Sequence, residues 1–376
     1  MAYNYLYIDD NKRAEADGVI AGLTLKDILS VEFKNPAGEW EQERNRIESD
    51  EFKKYDGIIL DLNLEENKNP ENHKLSRYKG STLAQEIRNL SKSGKIKETP
   101  IILLSATKNI NSLFDETNKD LFDLIISKES LTGKDEFETI IRKLEAIAHA
   151  YVVMSNERKA SVIMATNFEN EDVRFLSEIE YQLSKPSHSI SNFFIKDILE
   201  KNGILISDEI LFARLGVDVI ASKKEDISKI KEIFSESLYT GIFSGGWNRW
   251  WMSKIEKLWK NISENKTLRS LDAEKRVSLL NEKFKLSLKA SELDPKSKSL
   301  KFWTICQGSG RPIDNVDGLL VARQQKTYPW QDKVYISFEE ALKPTNKDAW
   351  QDVNENEKVK LECLKKKFPN ERPARQ

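Results

Sequence analysis

Residues 57–63 read Gly57-Ile58-Ile59-Leu60-Asp61-Leu62-Asn63, an aliphatic run closed by a carboxylate. Apolar residues in succession, without alternation, fit a strand buried on both faces, as in a parallel sheet. The pattern recurs on both sides of this stretch. Tyr5-Leu6-Tyr7-Ile8 is closed by Asp9-Asp10, Ile101-Ile102-Leu103-Leu104 by Ser105, and Leu124-Ile125-Ile126-Ser127 by Lys128. In a parallel α/β sheet such strand ends open onto one edge, where ligands bind. Three carboxylates, a hydroxyl and an ammonium are therefore expected in one cleft, a set that suits a divalent cation and a phosphoryl group.

Around these ends, apolar runs at 3–8, 28–33, 57–62, 100–105 and 123–127 alternate with amphipathic stretches at 11–22, 37–50, 81–92, 109–120 and 134–152. In the last of these, Phe137, Ile140, Ile141, Leu144, Ile147, Ala148 and Tyr151 recur at helical spacing. Strands alternating with helices predict an α/β domain over 1–152: a five-stranded, parallel, doubly wound sheet covered on both sides. Glu65–Lys79 interrupts the rhythm. It is rich in Asn, Glu and Lys and follows closely on Asp61, so a long mobile loop beside the cleft is expected.

An aspartate at a strand end can attack phosphorus and carry it as an acyl phosphate. Further carboxylates suit Mg²⁺, and a lysine with a hydroxyl can neutralise the oxygens of the transferring group. Taken singly, each residue has a plain alternative: acidic pairs cap helices, serines occupy turns, and lysines are solvated. Their ordered occurrence at four strand ends favours a working site.

At these residues the chain resembles a response-regulator receiver domain of two-component signalling, which is flavodoxin-like. That family reads as a strand with an acidic pair, a strand with the phosphoacceptor Asp, a strand with Thr or Ser then Ala, and a strand with Lys. Here the segments are Ile8-Asp9-Asp10, Ile59-Leu60-Asp61-Leu62-Asn63, Leu104-Ser105-Ala106 and Ile126-Ser127-Lys128, and Gly80 matches the glycine after the phosphoacceptor loop. The resemblance implies that Asp61 accepts phosphate from a histidine kinase or phosphotransfer protein. It implies that Asp10, Asp61 and the Asn63 carbonyl hold Mg²⁺, with Asp9 acting through water, and that Ser105 and Lys128 bind the phosphoryl oxygens. Such a domain catalyses its own phosphorylation and dephosphorylation. The chain departs from the pattern at Leu64-Glu65 in place of Met-Pro, at Ile125 in place of the aromatic switch residue, and at Glu129 in place of a proline.

Composition narrows the remaining classes. The net charge of the chain is −1, with charged residues at 32%, so global charge names no partner. Residues 1–150 carry 22 basic and 28 acidic side chains, and the remaining 38 and 33 give a dilute +5, which is no nucleic-acid footprint. Cys306 and Cys363 lie far apart, and His73, His149 and His188 form no H-x-x-x-H pair, so neither a disulfide framework nor a histidine zinc site is expected. No apolar stretch approaches the roughly 20 residues that span a bilayer, and a cytoplasmic protein without membrane contact is expected.

Beyond 152 the text reads as a mainly helical α+β region, 153–376. Helical spacing appears at 173–183, 224–239 and 247–290, strand-like pieces at 301–306, 317–322 and 333–338, and a charged tail from 343 with a surface helix at 356–367. Continuous helical spacing from 247 would put Trp247, Trp251, Ile255 and Leu258 on one face, as core or docking surface. Asp208–Asp218 superficially resembles helix-turn-helix text. The fit fails at Phe212 and Ser222, and Glu225 and Asp226 would face phosphates. No nucleotide loop, G-x-S-x-G or metal spacing marks an enzyme there. The leading expectation is output through protein contacts, with an unidentified partner or a homodimer. A phosphate sink or degenerate receiver on a scaffold, and a transcription factor with an atypical DNA-binding domain, stay as alternatives.

Overall fold

The computed structural model describes residues 2–70, 73–107, 110, 120–168, 171–322, 327–343 and 353–368. The chain forms two compact units: Met1–Glu169 with Val173–Asp197 and Thr240–Trp247, and Asn170–Asp172 with Ile198–Tyr239 and Asn248–Gln376.

In the first unit the aliphatic runs are strands: β1 (Tyr3–Ile8), β2 (Leu29–Lys34), β3 (Gly57–Leu60), β4 (Ile101–Ser105) and β5 (Leu124–Ser127). All neighbours are parallel, in the order β2-β1-β3-β4-β5. This is the doubly wound, flavodoxin-like order, and it reverses between β1 and β3. The helices between and after these strands include α1 (Arg13–Leu23), α2 (Trp40–Glu48), α3 (Gly80–Lys92) and α4 (Lys134–Asn156), and further helices of the unit lie at Ala160–Met164, Val173–Leu183 and Ser187–Phe193. The helix expected at 109–120 lies almost wholly outside the described residues.

Every residue of β3 and β4 is buried, so no polar alternation is needed along them. Leu6, Ile58, Leu60, Ile101 and Leu103 join one core cluster with Leu83, Ala84, Ile87 and Leu90 of α3. On α4, Tyr151 completes a buried polar staple. Asp123 accepts from the Arg88 guanidinium (2.8 Å), the Ile101 N–H (2.8 Å) and the Tyr151 hydroxyl (2.7 Å). Arg88 also donates to the Thr99 and Leu121 carbonyls. Two helices, α3 and α4, and the sheet are thus tied through one ion pair.

Among its described residues the loop after β3 makes specific contacts that its polar composition does not suggest. Lys68 bridges Leu75 antiparallel, Asn69 Nδ2 donates to the Pro36 carbonyl (2.6 Å), and Tyr78 donates to Glu43 (2.7 Å) and packs edge-on against Trp40. Leu64 and Ser76 are buried within it.

The second unit contains helices at Asp208–Leu215, Lys224–Ile233, Met252–Ile262, Ala273–Phe284 and Lys358–Lys367, and short strand pairs. The continuous helical spacing expected from 247 is not what forms. Trp250 and Trp251 make a two-residue strand paired with Leu205–Ile206, and the helix begins only at Met252. Trp250, Trp251 and Trp259 are buried, so they are core. Arg276 is fully buried, and among the described residues no carboxylate pairs with it. It donates to the carbonyls of Leu268, Arg214 and Phe302, and burial pushes its guanidinium down to about 10.

Candidate functional site

The reversal of strand order puts the ends of β1 and β3 side by side, and the crevice outside them is where open α/β sheets bind ligands. Asp9 and Asp10 leave β1 there, and Asp61 leaves β3, its N–H bonded to the Ile8 carbonyl at 3.0 Å. Lys128 follows β5 and reaches across the sheet ends. Its Nζ lies 2.7 Å from Asp9 Oδ2 and 2.8 Å from Asp61 Oδ1. Asp9, Asp61 and Lys128 are therefore joined directly. Asn63 is drawn in as well, its N–H donating to Asp61 Oδ2 at 2.7 Å.

Asp10 is turned to the loop after β3, where its Oδ2 accepts the N–H groups of Glu66 and Asn67, both at 2.7 Å. Ser105 ends β4, next to β3 in the sheet. It is fully buried, and its Oγ has no hydrogen-bond partner among the described residues. Tyr7, which the strand-end pattern does not single out, donates its hydroxyl to Asp9. Burial and the Asp9 charge hold that phenol far above its ordinary range.

The electrostatics are those of crowded acids with too little positive charge. Burial raises Asp61, and the charge of Asp9 adds to this while Lys128 opposes it. Burial likewise raises Asp10, against the two loop N–H bonds. Burial acts to lower Lys128, yet Asp61 and Asp9 outweigh it and hold the ammonium protonated above its usual range. Asp9 and Asp61 share one ammonium, and with Asp10, turned to the neighbouring loop, the three carboxylates carry a formal deficit that a divalent cation would cancel. Hard carboxylate and carbonyl oxygens are the donors Mg²⁺ takes. The donor set thus fits such an ion in type and charge. Among the described residues, however, no three His, Cys, Asp or Glu side chains are spaced as a ready metal cage.

Gly80 opens α3 against the site. Its N–H donates to the Leu62 carbonyl (2.8 Å), and a Cβ there would stand 2.0 Å from the Asp61 carbonyl oxygen. Gly80→Ala is expected to push the helix start off the strand end and to destabilise the unit by about 1–3 kcal/mol, the usual cost of overpacking. Urea unfolding checks it, and a variant as stable as wild type would show that the contact yields freely.

No protein-family model and no curated protein sequence matches the chain. Among solved structures, similar chains include the phosphorylated cyanobacterial phytochrome response regulator RcpA, with 20% identity over 40% of this chain and 95% of that one at a TM-score of 0.28. An adenylate cyclase from Rhodopirellula baltica has 12% identity over 42% and 96% at 0.27. The Mn²⁺-bound form of the response regulator Rcp1 has 18% over 38% and 92% at 0.26. The sheet order described above gives the first unit a doubly wound, flavodoxin-like fold.

Proposed function

We propose that the first unit is a phosphoacceptor receiver in which Asp61 takes a phosphoryl group from the phosphohistidine of a kinase or phosphotransfer protein. The observation that carries this reading is the Lys128 ammonium bridging Asp9 and Asp61 at the switch point of the sheet, beside a buried hydroxyl, Ser105, that has no partner among the described residues. An Asp61 oxygen attacks phosphorus, the P–N bond breaks, and the imidazole leaves with the electron pair. Lys128 stays near the oxygens on which charge builds, and Ser105 Oγ–H donates to one of them. Asp9 keeps Lys128 oriented, and Tyr7 keeps Asp9 oriented. Asp10, Asp61 and the Asn63 carbonyl would hold Mg²⁺, with Asp9 acting through water, and the ion would supply charge neutralisation for the approaching phosphoryl group.

For the second unit we propose output by protein contact, the partner being another protein or a second copy of the chain. The DNA-binding candidate has little to offer a groove. Ile210 to Leu215 are all buried in their helix, and Asp226 is buried in the next. That residues 1–152, which lie within the first unit, form the receiver while output is carried within 153–376, and a cytoplasmic location, belong to the same proposal.

Incubation with acetyl phosphate and Mg²⁺ should add one phosphoryl group, seen by intact mass, labile to hydroxylamine and absent when the cation is chelated. No gain, or a hydroxylamine-stable gain, rejects the acyl-phosphate reading.

A further inference from the structure

Three hydroxyls stand where β4 and β5 end: Ser105, Thr107 and Ser127. Ser105 and Ser127 are partners in the strand register. Glu129 engages two of the three. Its Oε2 accepts the Thr107 N–H (2.9 Å), the Thr107 hydroxyl (2.8 Å) and the Ser127 hydroxyl. Thr107 Oγ1 and Ser127 Oγ are themselves 2.6 Å apart. The turn after β4 is thereby tied to the turn after β5 through one exposed carboxylate. Donation from Ser127 and Thr107 pushes that carboxyl down to about 2, so it stays an anionic acceptor at any ordinary pH. Ser105, the third hydroxyl, is buried and has no partner among the described residues.

We infer that Glu129 is a positioning residue: by holding Thr107 and Ser127 it keeps the Ser105 hydroxyl free to donate to an oxyanion carried on Asp61. The inference rests on the phosphoacceptor reading. It gives a role to the position where the receiver resemblance expects a proline. Without Glu129, the Ser127 hydroxyl keeps only the Thr107 hydroxyl as partner and, adjacent to Ser105 in register, turns to pair with that serine, while the turn bearing Thr107 loses the bond to its N–H. A buried hydroxyl left unbonded is costly, so the released partner is taken up.

Beryllofluoride with Mg²⁺ serves as the probe, its binding to the full chain followed by ¹⁹F NMR. Glu129→Ala should weaken uptake about tenfold, the scale of one hydrogen bond to a charged group. Adding Ser127→Ala to Glu129→Ala should recover most of that loss, a rescue that a merely structural role for Glu129 does not predict. Uptake by wild type that is unchanged in Glu129→Ala, or a double variant no better than the single one, overturns the inference alone. No uptake by wild type, or equal uptake by Asp61→Asn, overturns the phosphoacceptor reading and this inference with it.

Discussion

Asp61→Asn should take up no phosphoryl group from acetyl phosphate, and Lys128→Ala should take it up about 10²–10³-fold more slowly than wild type. The amide removes the nucleophilic oxygen, so the loss is complete. The lysine contributes a preorganised charge, and removing one such stabiliser typically costs that factor. Lys128 lies within 2.8 Å of both buried carboxylates. Its removal therefore also leaves Asp9 and Asp61 facing each other, and thermal melting must accompany the rate to separate chemistry from folding. Labelling of Asp61→Asn, or of folded Lys128→Ala at the wild-type rate, would remove these residues from their assigned roles.

The largest stability effect is expected at the staple behind the sheet. Asp123→Ala strips the buried Arg88 of its counter-charge and the Tyr151 hydroxyl of its acceptor, so the first unit should lose about 3–5 kcal/mol. Tyr151→Phe removes one hydrogen bond and leaves the ion pair, and about 1 kcal/mol is expected. Urea unfolding of both variants provides the comparison. Equal small losses would show that Arg88 finds enough compensation in the Thr99 and Leu121 carbonyls alone.

The sheet was legible because its strands are buried on both faces: Ile58-Ile59-Leu60 and Ile101–Leu104 leave no other placement, and the polar residue that ends each run marks the cleft edge. The placement of Asp9, Asp61, Ser105 and Lys128 along one edge was legible for the same reason, since they occupy equivalent strand ends. Other features escape a reading of composition. The segment after β3 looks solvated, yet Asn69 hydrogen-bonds backbone 33 positions away, and the N–H groups of Glu66 and Asn67 serve Asp10. In the tryptophan region, a two-residue strand at Trp250–Trp251 is too short to leave a period, and helical spacing was the wrong template. Glu129 shows in the sequence only as a missing proline. Its bonds to Thr107 cross 22 positions and depend on strand pairing.

That pairing also limits how the gene can change. Ser105 and Ser127 sit opposite each other, and Lys128 comes one step later. Strand side chains alternate in direction, so adding or deleting one codon within 124–128 would put the lysine out of step with the strand: either Lys128 turns away from the carboxylates or the residues before it change face. Insertions in the exposed turn around Gly94 meet no such penalty, since that turn aims no side chain at the cleft. Length variation among descendants of this sequence should therefore collect in turns on the far edge of the sheet. The interval from each strand to its terminal polar residue should stay fixed even where the aliphatic letters drift.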